Sequence, residues 1–163
     1  MDFKNLFSMQ EMLDYRIEKE HGLLNENLIP KKALALFVEL GELANETRCF
    51  KFWSSKGPSS KEVILEEYVD GLHFILSLGL KLNYSTKLNL QPMKTLETPV
   101  HVQFLDLYKE ISHIDEDCSK ELYESVFQNF LNLGSSLGFS EEDIESAYID
   151  KNKVNHQRQD QGY

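Results

Sequence analysis

The chain has 163 residues, 41% of them hydrophobic, which suits a single domain over 1–163 with its own core and no need of disulfides or structural metal. Its formal net charge of −10 argues against nonspecific nucleic-acid binding, which needs a positive surface, yet leaves room for a small phosphorylated ligand held by a local cation cluster. Two cysteines, Cys49 and Cys118, make no disulfide framework; residues 1–5 lead into no apolar stretch, and the most apolar run, 72–80, is too short for a bilayer, so a soluble cytoplasmic protein without membrane contact is expected.

Periodicity predicts five or six helices, with no convincing strand, internal repeat or low-complexity segment. The first helix covers about 3–20, where Leu6, Met9, Leu13 and Ile17 recur every three or four residues. Pro30 sits where a first helical turn tolerates proline, and the second helix runs on to about 47. Ala33, Leu36, Phe37, Leu40, Leu43 and Ala44 form its apolar stripe, with Glu39, Glu42 and Glu46 as a second stripe beside it. Residues 49–58 read as a loop closed by Gly57 and Pro58. Ser59, with Glu62 three residues on, predicts a capping box and the start of a third helix reaching about 81. That helix is apolar nearly all round, the mark of a buried one. After a second loop over 84–99, a fourth helix is expected over 100–112 and a fifth over 118–137, closed by Gly138 as a left-handed cap. Ser140 and Asp143 open the last helix, which reaches about 159. Short connections between amphipathic helices favour an all-α antiparallel bundle.

Two pairs of acids stand out. Glu39 and Glu42 are three residues apart on the second helix, Glu67 and Asp70 three apart on the third. Residues at that spacing share a helix face, so two packed antiparallel helices would aim four carboxylates at one point. Clustered anions repel one another unless a cation joins them, and a hard cation such as Mg²⁺ with substrate phosphates is the natural partner. A solvated acidic face would explain Glu39, Glu42 and Glu46 alone. Acids on the otherwise apolar third helix call for a charge partner or metal. Glu66 is ambiguous, being one turn from Asp70, but the spacing favours Glu67.

Near the end of the chain, Lys151, Asn155 and Arg158 share one helical face, suited to phosphate and to a polar base or sugar edge; the bland alternative is a frayed polar terminus. The only tryptophan, Trp53, lies between Lys51 and Lys56, where a ring could stack on a base or simply cap the core. Gln10, an amide on the apolar side of the first helix, could read a base edge or sit at the surface. His73 alone reads more readily as a satisfied, half-buried histidine.

Taken together, these residues resemble the dimeric all-α dUTPases of the all-α NTP pyrophosphatase superfamily, the MazG-like group. The likeness rests on Gln10 with Leu13 and Asp14, on Glu39-Leu-Gly-Glu42, on Phe52-Trp53-Ser54, on Glu66-Glu67-Tyr-Val-Asp70 followed by His73-Phe74, and on Lys151, Asn155, Arg158, Gly162 and Tyr163. The four acids mark the superfamily; the tail and the Trp53 loop point to the deoxyuridine branch. The resemblance implies Mg²⁺-dependent hydrolysis of dUTP to dUMP and pyrophosphate by a homodimer. It makes Glu39, Glu42, Glu67 and Asp70 the metal ligands, with Glu39 also positioning or deprotonating the attacking water. It gives Lys151, Arg158 and Lys56 to the phosphates, and Gln10, Trp53, His73, Phe74 and Asn155 to the base and sugar. Two alternatives stand beside it: a related pyrophosphatase acting on dCTP or modified nucleotides, and a noncatalytic helical module binding a basic partner. An enzyme that also binds a protein regulator is a mixed case.

Overall fold

A computed structural model describes residues 1–162 as six helices, with no strand among them: α1 (Phe3–Glu20), α2 (Ile29–Thr47), α3 (Lys61–Lys81), α4 (Val100–Ile111), α5 (Lys120–Ser136) and α6 (Glu141–Asp160). The expected boundaries hold to within about two residues, with one instructive difference. The cap of α3 is Ser60, not Ser59. The Ser59 hydroxyl donates instead to the Glu46 carboxylate, and its amide to the Glu46 carbonyl at 3.0 Å, so Ser59 fastens the loop to the end of α2 rather than opening α3. At α6 the expected Ser140–Asp143 capping box is present, each side chain taking the other residue's amide at 3.1 Å. Gly138 follows α5 with φ of 86°, and Gly138 and Phe139 return their amides to Ser135 and Gly134. That left-handed turn is one glycine adopts without strain.

The axis of the core is α3. From Tyr68 onward it is almost wholly buried, whereas Val63 in its opening turns is 41% exposed. Leu36, Leu40 and Leu43 of α2 pack with Leu72, Ile75 and Leu76 of α3, all at 0% exposure. Each such side chain contributes on the order of 1.5–3 kcal/mol on burial. Helices α2 and α3 run antiparallel: Ser59 meets Glu46 at one end, and Ser77 meets Lys32 at the other. Helices α1 and α3 run side by side in the same direction. Their contacts Gln10–His73, Asp14–Ser77 and Glu18–Lys81 keep a constant offset of 63 residues. Helix α6 follows them, from Lys61–Asp143 to Asp70–Lys151. The rule of short loops governs neighbours in sequence, and these three helices are not neighbours.

Against α5, α3 packs through two matching exchanges. Tyr68 donates to the Phe130 carbonyl over Gly134, and Tyr123 donates to the Ile75 carbonyl over Gly79, each at 3.0 Å. In both, the glycine lies four residues beyond the accepting carbonyl, and a Cβ there would fall 2.5 Å or 2.1 Å from the tyrosine oxygen. The long α3–α4 loop is strapped along α5. Backbone amides of Asn89, Gln91, Lys94 and Leu96 donate to the side chains of Glu124, Gln128, Asn132 and Ser136, one per helical turn. A loop with no regular structure thereby satisfies its polar backbone. Among the described residues no helix is long and apolar enough to cross a membrane.

Candidate functional site

Antiparallel packing of α2 on α3 brings Glu39, Glu67 and Asp70 together, with carboxylate oxygens all within 4.8 Å of one another. All three are half-buried. Glu42, one turn further along α2, is exposed and outside that trio, yet close enough for its charge to act on Glu39 and Glu67. Burial, then the charges of Asp70, Glu42 and Glu67, push Glu39 up to about 7. Burial also raises Glu67, with Asp70 and Glu42 adding to it. Asp70 is raised by burial too, even with the Lys151 ammonium 2.7 Å away. Crowded carboxylates that hold protons this firmly are short of positive charge. Their donors are all carboxylate oxygens, the hard set that suits Mg²⁺ rather than a thiophilic metal.

Lys151 of α6 lies beside the trio, and Arg158 of the same helix also acts on Asp70. Lys151 bridges Asp70 and Glu66, the latter at 2.9 Å. Burial pulls its pKa down, but the bonds to Asp70 and Glu66 more than offset this and leave it raised. Glu66 is lowered in turn, chiefly by its bond to Lys151. Glu67 lies with Glu39 and Asp70, whereas Glu66 turns to Lys151, the two side chains leaving α3 in different directions. Helix α6 continues unbroken to Asp160, which carries Lys151, Asn155 and Arg158 on one element.

From the trio a cavity of about 490 Å³ runs between α1, α2, α3 and α6. Glu39 and Asp70 line its outer end; Gln10, His73, Phe74, Asn155 and Arg158 line its walls. Gln10 is buried, with 3% exposure, rather than a surface glutamine. Its oxygen lies 2.7 Å from both His73 Nδ1 and the Tyr148 hydroxyl, and its nitrogen donates to Asp14 at 2.8 Å. His73 stacks on the Tyr148 ring at 4.3 Å, and burial drives its pKa down to about 3, keeping it neutral. Its Nε2 has no hydrogen-bond partner among the described residues.

Of the expected residues, Glu42, Glu67 and Lys151 stand by the trio without lining this cavity, and Trp53 and Lys56 are brought to neither. Trp53 is 65% exposed on the α2–α3 loop, beside Phe50 and Phe52, so it does not cap the core either. Lys56 is exposed on the same loop, its carbonyl taken by Arg48. Neither lines the cavity. Tyr163 lies outside the described residues. Sequence reasoning gave no role to Asp14, Glu18, Lys32 and Ser77, which form the cavity's inner end. A signal existed for Asp14, Glu18 and Ser77. Gln10, Asp14 and Glu18 recur every four residues on α1, and His73, Ser77 and Lys81 do the same on α3. Two polar ladders of equal period are what two parallel packed helices require.

The dUTPase family model matches residues 2–163. Among curated proteins none matches the chain. The match spans the cavity and every residue of the acidic trio, and the chain belongs to the all-α dUTPase family, which makes it a dUTP-hydrolysing nucleotide pyrophosphohydrolase rather than a noncatalytic module.

Proposed function

We propose that this dUTPase family member converts dUTP to dUMP and pyrophosphate with Mg²⁺ as cofactor, the metal held by Glu39, Glu67 and Asp70 with Glu42 beside them. The observation that carries this reading is the carboxylate trio, within 4.8 Å, opening onto a cavity of nucleotide-binding size. Bound there, Mg²⁺ supplies the positive charge that both the acids and a triphosphate need, and phosphoanhydride hydrolysis depends on that more than on covalent catalysis.

The chain's own groups supply the rest. Glu39, a member of the trio that also lines the cavity, stands where it can orient the attacking water and accept its proton. Lys151 stands beside the trio to hold a phosphate oxygen, and Arg158 lines the adjoining wall for a second. Gln10, His73 and Asn155 offer polar edges to base and sugar, with Phe74 as an apolar wall between them. Trp53 and Lys56 face away from their own cavity, so this reading assigns them to the cavity of a second copy in a cytoplasmic homodimer. The exposed rings of Phe50, Phe52 and Trp53 support that assignment.

The test is product release from dUTP, dCTP, dTTP, UTP and dUDP, with Mg²⁺ and with chelator. Pyrophosphate from dUTP alone, lost on chelation, is the expected result. Preferential turnover of dCTP would keep the acidic site and discard the uracil pocket. Undiminished turnover in chelator would refute the metal assignment.

A further inference from the structure

The inner half of the cavity carries a hydrogen-bond chain that the chemistry above does not use. Asp14 Oδ2 accepts from the Lys32 ammonium at 2.8 Å and from the Ser77 hydroxyl, while Oδ1 accepts from Gln10 Nε2 at 2.8 Å. A carboxylate paired with an ammonium only accepts. The amide nitrogen of Gln10 must therefore face Asp14; turned over, its oxygen would meet the carboxylate. Gln10 Oε1 is thereby aimed at α3 and α6. There the Tyr148 hydroxyl donates to it, and His73 Nδ1 lies 2.7 Å away. An amide oxygen cannot donate, so Nδ1 carries the proton of the neutral imidazole. Nε2 is left as a bare acceptor on a side chain that is 6% exposed, with no partner in the described chain. Tyr148, stacked on the ring, fixes its plane.

We propose that Asp14 is a specificity-determining positioning residue: through Gln10 it locks His73 in the Nδ1–H tautomer, so that Nε2 presents a fixed hydrogen-bond acceptor to the imide N–H of a uracil base. This rests on the base-binding reading given above. N3 of uracil carries a hydrogen; N3 of cytosine carries a lone pair. A fixed acceptor pairs with the first and repels the second, which is discrimination by an unfavourable contact as well as a favourable one. A histidine free to exchange tautomers would offer its own N–H to cytosine and lose that distinction.

Two measurements on the full chain test this. Nitrogen-15 NMR of the histidines, with His73→Gln to assign the signal, should show neutral His73 protonated at Nδ1 in the wild type. Asp14→Asn must keep its oxygen towards the Lys32 ammonium and turn its NH₂ to Gln10, which flips the Gln10 amide and should move the His73 proton to Nε2. Gln10→Ala, which frees Nδ1, should move the proton to Nε2. The ratio of kcat/KM for dUTP to that for dCTP should fall about tenfold or more in Asp14→Asn, the loss of one polar discrimination. A wild type protonated at Nε2 but selective for dUTP overturns the lock and leaves the function standing. A wild type protonated at Nδ1 that does not prefer dUTP overturns both. Asp14→Asn that folds and keeps the wild-type ratio overturns the role of Asp14. Should that variant not fold, the wild-type and Gln10→Ala spectra decide.

Discussion

Replacing Glu39 by glutamine should stabilise the cation-free protein at pH 8 and leave it unchanged at pH 4.5. The carboxyl is raised from 4.5 to about 7 in the folded chain. A group whose pKa rises on folding holds its proton more tightly when folded. Its unfavourable contribution is absent below the unfolded value, grows as pH rises from 4.5 towards 7, and is complete above that. Each unit is worth about 1.36 kcal/mol, which sets an upper bound of roughly 3.4 kcal/mol. Glu39 is only half-buried, and water screens such a charge, so about 1.5 kcal/mol is the reasonable expectation. For a chain of this size that is a rise of roughly 3–6 °C in Tm.

The assay is thermal unfolding followed by circular dichroism in chelator, wild type against Glu39→Gln, at both pH values. Other titrating groups are common to the two proteins and cancel in the difference. Adding Mg²⁺ at pH 8 should raise the wild-type Tm more than the variant's, because a ligand stabilises in proportion to its affinity for the folded state. A gain equal at both pH values would mean that the effect is packing, not charge. No gain at pH 8 would refute the crowding argument.

Other outcomes follow from the same geometry. Asp70→Asn should abolish turnover while circular dichroism stays helical; near-normal turnover would remove Asp70 from the metal site. Lys151→Gln should lower kcat/KM for dUTP by about 10–100-fold, the value of one or two charge-assisted hydrogen bonds, read by steady-state kinetics. Gly79→Ala places a methyl 2.1 Å from the Tyr123 hydroxyl, and urea unfolding should show a loss of about 1–3 kcal/mol, partly recovered in Gly79→Ala with Tyr123→Phe. The sole tryptophan, 65% exposed, should emit like a solvated indole in dilute monomer and shift to the blue on dimerisation; sedimentation over the same concentrations would tie the shift to assembly.

Most of the fold was legible because the helices repeat their apolar residues with period 3.6 and end on recognisable caps. The Ser140 box and the Gly138 turn were both readable. The α3 cap was not, because two adjacent serines compete for it and Glu46, distant in sequence, claims Ser59. The acidic pairs were legible from spacing within each helix, and the antiparallel packing that joins them is held by Ser59 on Glu46 at one end and Ser77 on Lys32 at the other. Side-by-side packing of α1 and α3 was not stated by any loop, so Asp14 and Ser77 went unassigned although their spacing was visible. For Trp53, a side chain's identity says what it can stack on but not which way its loop faces.

The two ends of the cavity show why burial of charge alone does not mark a reactive site. At the inner end, Asp14 and Glu18 face Lys32 and Lys81: Lys32 lies 2.8 Å from Asp14 and 3.3 Å from Glu18, and Lys81 lies 2.6 Å from Glu18. Acids and ammonium groups balance there within the chain, and breaking one pair would strand the other's charge, so these ion pairs brace the helices and fix Gln10 rather than call for a cation. At the outer end Glu39, Glu42, Glu67 and Asp70 gather with Lys151, which also serves Glu66. Burial first, and then the neighbouring acids, hold the pKa of Glu39 up despite Lys151. A bound cation would relieve the stability cost that ionised Glu39 imposes. Neutralising Glu39 should therefore stabilise the chain and disable it together, whereas neutralising Asp14 should destabilise it, and the opposite signs separate the end that binds from the end that holds.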